Sequence, residues 1–126
     1  MGEIFRNSWW VVEQDAGAAF VRLVRTGTPF ADMREAGRAT QDLLPVMRGF
    51  KRVLLDFRAG PPGRNDTEFE SASEEWRKLM AKSFERRCVL VKSAAGKLQL
   101  KRLNPPAADF LVTQDESEAI RFLSDG

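Results

Sequence analysis

The chain begins with two runs in which apolar and polar positions alternate as they do in β-strands. The first run is "SWWVVEQD", the second is "AAFVRLVRT", and the turn signal "DAG" lies between them. In the second run Val21 and Leu23 share one face, whereas Arg22 lies on the other. The pattern therefore predicts an antiparallel hairpin with one face on the core.

The spacing of apolar residues then changes to that of a helix, within "GTPFADMREAGRATQDLLPVMRGF". The positions that fit helical spacing are Met33, Ala36, Gly37, Leu43 and Leu44. Pro45 is expected to end or kink this helix, and Gly49 marks its close.

After residue 50, short apolar runs alternate with helical patterns. The runs "RVLLDF", "RCVLVKS" and "DFLVT" are typical of buried strands. Helices are predicted over "EFESASEEWRKLMAKSFE" and "DESEAIRFLSD", the second capped by Asp115. The segment "AAGKLQLKRLN" fits a strand or a helix, and a helix is preferred because it returns the chain to begin a parallel strand. The inward residues of the two clear helices are predicted to be Phe69, Ala72, Trp76, Leu79, Met80 and Phe84 in the first, and Ala119, Ile120 and Leu123 in the second.

The predicted order is ββαβαβαβα, with no internal repeat or low-complexity linker. This order indicates an α/β fold in which a mixed sheet carries helices mainly on one face. A chain of 126 residues is long enough for one such domain, so residues 1–126 are assigned to a single domain.

The chain contains no histidine and a single cysteine, Cys88. These absences exclude histidine-based nucleophilic catalysis, a structural zinc site and an internal disulfide. Cys88 lies in an apolar run and is predicted to be a core residue. No run is long enough for a membrane span, and the first residues lack the pattern of a signal peptide. We therefore expect a cytoplasmic protein that has no enzymatic activity, metal or cofactor and no membrane contact.

The loop "DFRAGPPGRNDTEFE" joins a predicted strand to a predicted helix, at the edge where open α/β sheets hold their ligands. Its glycines are reminiscent of a phosphate loop, but the lysine–hydroxyl pair of that motif is missing and the prolines remove amide donors. Arg64 is the residue best suited to hold an acidic partner group, or else to pair locally with Asp66 or Glu68.

The predicted elements follow one another in this order: an antiparallel hairpin, a helix, "RVLLDF", the loop, a helix that begins at an Asp-Thr pair, "CVLV" and a final acid-capped helix. This order resembles that of the STAS domain. STAS domains occur in anti-sigma-factor antagonists and in the tails of sulfate transporters. The resemblance covers nearly the whole chain. It rests on the order of elements rather than on a strict signature.

The resemblance implies a signalling module that binds a regulator or a kinase-like anti-sigma factor through this loop. In the family a serine after an aspartate is phosphorylated at the helix start. Asp66 and Thr67 stand at those positions, but Glu68 and Phe69 replace the following serine and glycine. Phosphorylation at Thr67 and a plain helix cap both remain open. The predicted partner-binding residues are Arg58, Arg64, Asn65, Asp66, Thr67 and Glu68.

Two other functions are compatible with the chain. Residues 77–102 carry nine bases and one acid, which permits nucleic-acid binding, although no binding motif appears there. Trp9, Trp10 and Phe30 can line a pocket for a small molecule or a lipid. Trp9 and Trp10 are predicted to point to opposite faces of the first strand. A homodimer through this strand is also expected, because it is placed at the sheet edge and tryptophans are common interface anchors.

Overall fold

The computed structural model of the chain describes residues 2–14, 20–60, 67–104 and 107–125. Its elements are β1 (Gly2–Arg6), β2 (Trp10–Gln14), β3 (Val21–Arg25), α1 (Met33–Met47), β4 (Arg52–Asp56), α2 (Thr67–Ser83), β5 (Arg86–Leu90), α3 (Ala94–Leu103), β6 (Phe110–Thr113) and α4 (Glu116–Ser124). The strands form one six-stranded sheet in the order β1-β2-β3-β4-β5-β6. The first three strands are antiparallel, and β3 to β6 run parallel.

The predicted mixed α/β fold is confirmed, with one strand more than the sequence pattern indicated. That strand is β1, which pairs with β2 and carries a bulge between Glu3 and Phe5. It was missed because it lies largely exposed at the sheet edge and has no apolar face to produce alternation. The strand that follows Trp9 is therefore an interior strand, and the prediction that it forms the sheet edge is wrong.

Both faces of the sheet are covered, as the continuous apolar run of β4 predicts. On one face the core contains Val21, Leu23, Val53 and Val89 of the sheet, together with residues of α1 and α2. The partly buried Leu100 of α3 packs against the same core. The other face carries a smaller cluster made of Phe20, Leu54, Cys88, Leu90, Ala119 and Leu123. Three helices thus pack on one face and α4 on the other, which agrees with the expectation that helices lie mainly on one side.

The inward face of α1 agrees with the predicted stripe at Leu43 and Leu44 but not at Gly37. Ala39, Leu43 and Met47 are buried at successive intervals of four, whereas Gly37 is exposed. Pro45 lies inside the helix and does not end it. The helix ends at Met47, and Gly49, two residues further on, has the positive φ of 92° that glycine adopts without strain. Proline has no amide hydrogen to donate to the carbonyl of Gln41, one turn earlier, so the last turn of the helix has one hydrogen bond fewer.

The later elements follow the sequence pattern closely. The segment that fitted either a strand or a helix is the helix α3, which Ser93 caps by accepting a hydrogen bond from the Gly96 amide. Asp115 caps α4 as predicted. Ala119 and Leu123 face inward, but Ile120 is 38% exposed, so its predicted inward position is wrong. One step along a helix turns a side chain by about 100°, which carries Ile120 off the inward stripe.

Trp9 and Trp10 do not cover opposite faces of the sheet. Trp10 is buried in the core beneath α1 and α2, and Trp9 packs against the same core. Trp9 lies before the first residue of β2, so it does not follow the alternation of the strand. Its ring lies 6.0 Å from that of Phe30, measured between centroids.

Candidate functional site

Asp56 is the last residue of β4 and lies at the carboxyl edge of the parallel sheet. Alternation along β4 turns its side chain toward the face that α4 covers, where the residue is 4% exposed. The chain then bends so that Arg58 returns to the same carboxylate. The Arg58 amide and Nε donate to Asp56 Oδ1 at 3.1 Å and 3.0 Å, and Nη2 donates to Oδ2 at 2.8 Å.

Two further charged residues complete this group. Arg22 of β3 donates through Nη2 to Asp56 Oδ2 at 2.8 Å and to Glu116 Oε1 at 2.5 Å. Arg58 Nη2 also lies 3.2 Å from Glu116 Oε1. We call Arg22, Asp56, Arg58 and Glu116 the edge cluster. It joins β3, β4 and the first turn of α4 with balanced charge.

The electrostatics of the edge cluster hold both carboxylates ionised. Burial disfavours the charged form of Asp56, but hydrogen bonds from Arg58 and Arg22 outweigh it and lower its pKa. The hydrogen bond from Arg22 is the main cause of the lowered pKa of Glu116. Burial opposes the charge of Arg22, yet its bonds to Glu116 and Asp56 raise its pKa. Asp56 is thus saturated with guanidinium donors, which suits a structural anchor better than a general base.

The edge cluster also reaches the surface. The side chain of Arg58 is 38% exposed and that of Glu116 is 43% exposed, whereas Arg22 and Asp56 lie beneath them. A buried carboxylate therefore fixes an accessible guanidinium at the start of the loop. Such a group is oriented before any partner arrives, so less side-chain entropy is lost on binding.

A second group of residues lies at the same edge, on the opposite face of the sheet. Arg25, the last residue of β3, is 6% exposed and donates through Nη1 to the carbonyl oxygens of Trp9 at 3.1 Å and Thr26 at 2.9 Å. Its guanidinium lies 4.2 Å from the ring centroid of Phe30 and 5.8 Å from that of Trp10. Burial lowers the pKa of Arg25. The two rings pack on the arginine and form a wall beside the loop.

Gly60 brings the loop close to this wall. A Cβ at residue 60 would lie 3.1 Å from Arg25 Cγ and 3.3 Å from the Phe57 carbonyl oxygen. The Gly60 amide donates to the same Phe57 carbonyl at 3.1 Å. A side chain at this position would therefore need Arg25 or the Phe57 carbonyl to shift by a few tenths of an ångström, a shift that glycine avoids.

The structure places only part of the predicted partner-binding set. Arg58 lies at the carboxyl edge, in the edge cluster. Arg64, Asn65 and Asp66 lie outside the described residues, as do the side chains of Thr67 and Glu68. The helix α2 begins at Thr67. Of the three residues predicted to line a pocket, Trp9 packs on Phe30, and the rings of Phe30 and Trp10 both contact the Arg25 guanidinium.

Sequence reasoning missed Arg22, Asp56 and Glu116. The signal for the first two was a charged residue inside or at the end of an apolar strand, on the face opposite the main core. Glu116 carried no signal beyond its place in the first turn of a helix, where acids are common.

The basic region 77–102 is divided between the two faces of the sheet. Arg86 lies toward α4, where it donates to the Phe122 carbonyl at 2.7 Å and to the Asp125 carbonyl. Arg87 points to the other face, with its guanidinium 4.9 Å from the ring of Phe110. Arg86 and Arg87 therefore cannot belong to the same continuous basic surface.

Comparison with known proteins identifies the fold. No family model matches the chain. No curated protein matches it either. Among solved structures, the chain is similar to a protein of the DUF3478 family from Shewanella loihica PV-4, described as having a SpoIIAA-like fold. The TM-score is 0.59 at 14% sequence identity, over 95% of this chain and 98% of that one. The chain therefore has a SpoIIAA-like fold, which confirms the STAS-like architecture.

Within the described part of the chain, no helix is long and apolar enough to cross a bilayer.

Proposed function

We propose that this domain is a non-catalytic protein-interaction module of a bacterial signalling pathway. It binds a regulatory protein through the loop that follows β4 and through the start of α2. The observation that carries the proposal is the geometry of Arg58, which a buried carboxylate orients and which is still open to solvent. The SpoIIAA-like fold supports the proposal, since the STAS-like architecture is one that the sequence resemblance associates with signalling partners.

The chemistry of the loop is suited to an acidic or mixed-charge partner surface. Arg58 and Arg64 supply guanidinium groups that bind carboxylates or phosphates through two parallel hydrogen bonds. Glu116 beside Arg58 offers an acceptor for a basic partner residue. Pairs of oppositely charged residues at the rim of an interface affect the choice of partner and the association rate more than they affect the affinity.

Phosphorylation of Thr67 is proposed as the control of this interaction. Thr67 is the first residue of α2, where the positive end of the helix dipole favours a phosphate. The neighbouring Asp66 and Glu68 repel a phosphate. The modification would therefore add charge to a loop that is already acidic on one side, and would weaken binding to an acidic partner.

The test begins with a photo-crosslinking amino acid at position 64 of the full chain, in cells of the source organism. The control carries the same amino acid at Arg38, an exposed residue of α1. A partner that is captured from position 64 but not from position 38 is then purified, and its affinity is measured by calorimetry. We expect Arg58→Ala and Arg64→Ala to weaken binding by about tenfold each, equivalent to about 1.4 kcal/mol, and Arg38→Ala to have no effect.

The Thr67→Glu variant tests the control step, with Thr67→Ser as its matched control. Thr67→Glu is expected to weaken the complex, whereas Thr67→Ser is expected to bind as the parent does. If the captured proteins are the same from positions 64 and 38, or if the two loop arginines can be replaced without loss of affinity, the loop is not the binding surface.

A further inference from the structure

A groove lies away from the edge cluster, between the second half of α2 and the end of α3. It has a volume of about 440 Å³, within the range of sites that hold small molecules. Its floor includes Arg87 of β5. The residues that line it are Glu74, Arg77, Lys78, Ala81, Arg87, Leu103, Asn104, Ala107 and Phe110.

Arg87 is the unusual group in this groove. Its side chain is only 11% exposed, yet its Nε is buried and has no hydrogen-bond partner among the described residues. The carboxylate of Asp109 lies beside it, but its Oδ1 is 3.8 Å from Nη2, which is too long for a hydrogen bond. A buried donor left without an acceptor costs about 1 to 3 kcal/mol. An anionic ligand in the groove would relieve this cost.

The charges around Arg87 indicate the charge of the ligand. Lys78 and Arg87 face the groove, and the carboxylates of Glu74 and Asp109 lie beside them. Lys78 is paired with Glu74 at 3.4 Å in an exposed position, where an ion pair contributes little. Arg87 retains a buried donor that Asp109 does not reach, and one carboxylate group is enough to accept from it.

The remaining surface of the groove is apolar. Ala81, Leu103, Ala107 and Phe110 form it, and the Phe110 ring stacks on the Arg87 guanidinium. Stacking holds the guanidinium plane in place, so its donor edge has a fixed direction. A ligand with a charged head and an apolar body would contact both parts of the groove at once.

We propose that the groove between α2 and α3 binds a small monocarboxylate with an apolar body. The carboxylate accepts hydrogen bonds from the Arg87 guanidinium, with Lys78 nearby, and the apolar body lies along Leu103, Ala107 and Phe110. This site is separate from the proposed partner-binding loop, because Arg87 is at the amino end of β5 and the loop leaves the carboxyl end of β4.

The probe for this site is decanoate, added to the full-length chain labelled with ¹⁵N and followed by NMR. Decanol, which has the same chain without the charge, and decylamine, which has the opposite charge, are the ligand controls. We expect decanoate to shift the amide signals of residues 78, 81, 87, 103 and 110, and to bind at least about tenfold more tightly than either control.

Variants identify the residue that binds the head group. Arg87→Gln is expected to weaken decanoate binding by about tenfold. The affinity of Arg87→Lys should lie between those of Arg87→Gln and the parent, because lysine keeps the charge but lacks the planar guanidinium. Lys82→Gln is the control, since Lys82 is an exposed base of α2 outside the groove. Circular dichroism shows whether each variant is folded, and if Arg87→Gln is not, Lys78→Gln gives the comparison. Equal binding of decanol and decanoate, shifts confined to other parts of the chain, or unchanged affinity in a folded Arg87 or Lys78 variant would overturn the proposal.

Discussion

The guanidinium of Arg22 lies 2.8 Å from the carboxylate of Asp56, and both side chains are less than a tenth exposed. The pair joins two adjacent parallel strands on the face that α4 covers. Burial of two charges costs several kcal/mol for each, so the pair is retained only because Arg58 and Glu116 supply further hydrogen bonds. Asp56 thereby connects the loop to the sheet and, through the two arginines, to α4.

Loss of the Asp56 carboxylate is expected to destabilise the fold strongly. Asp56→Ala removes the buried charge partner of Arg22 and leaves it only the half-exposed Glu116, and the loss of a buried partner costs about 3 to 5 kcal/mol. The double variant Arg22→Met/Asp56→Leu removes both charges and is expected to recover most of that loss. The measurement is the free energy of unfolding from urea titration. Glu3→Gln, which breaks the exposed Arg6–Glu3 pair, is the control and should change stability by less than about 0.5 kcal/mol. A small effect of Asp56→Ala would mean that Asp56 is not the centre of the cluster.

The edge cluster also predicts a loss of stability in acid. The pKa of Asp56 is lowered below its ordinary 3.8, because hydrogen bonds from Arg58 and Arg22 exceed the opposing effect of burial. The folded state therefore binds fewer protons than the unfolded state at low pH. The contribution of Asp56 is fully present above pH 3.8 and is lost as the pH falls through its lower, folded-state pKa.

Unfolding free energies measured from about pH 7 to about pH 2.5 test this expectation. The parent should lose more stability over the acid end of this range than the Arg22→Met/Asp56→Leu variant, which has no Asp56 to protonate. Parallel curves for the two proteins would contradict the assignment of this acid sensitivity to Asp56.

Cys88 is expected to be unreactive in the folded protein. Burial raises the pKa of its thiol to about 12, with a smaller contribution from Glu118. Because the thiolate is the reactive form, labelling with a disulfide reagent at about pH 8 should be slow until denaturant is added. The unfolded chain should then react fully, and since Cys88 is the single cysteine, the signal is unambiguous. Rapid labelling of the native protein would show that the face beneath α4 opens readily.

The core beneath α1 is expected to be sensitive to a cavity. Leu43 is fully buried, and Leu43→Ala should cost about 2 to 5 kcal/mol in unfolding free energy. Leu98→Ala is the matched control, because Leu98 on α3 is 69% exposed and its replacement should change stability by less than about 0.5 kcal/mol. If the Leu98 variant is as destabilised as the Leu43 variant, α3 packs more deeply than its exposure indicates.

Local patterns predicted most of the fold because the spacing of apolar residues in a segment indicates which of its side chains are buried. The apolar runs before Asp56 and around Cys88 are buried strands, and Asp115 caps the last helix as predicted. The wrong predictions concern residues whose burial does not follow the alternation of a strand. The strand β1 lies exposed at the edge, and Trp9 precedes its strand, so neither follows the alternation that revealed the other strands.

The candidate site was only partly predictable. Arg58 was identified from its place in the loop, but its partners lie far away in sequence, with Arg22 and Glu116 separated by 94 positions. Composition and periodicity contain no information about which distant charges meet.

The sequence by itself determined the kind of each later element, the two faces of the central strands and the exclusion of histidine-based chemistry, since these depend on side-chain type and spacing alone. Only the tertiary structure decided that Arg22, Asp56, Arg58 and Glu116 form one cluster and that Arg87 faces a groove. Those contacts arise from strand order and parallel register, which bring residues from separate segments to one edge. Local periodicity does not specify either property.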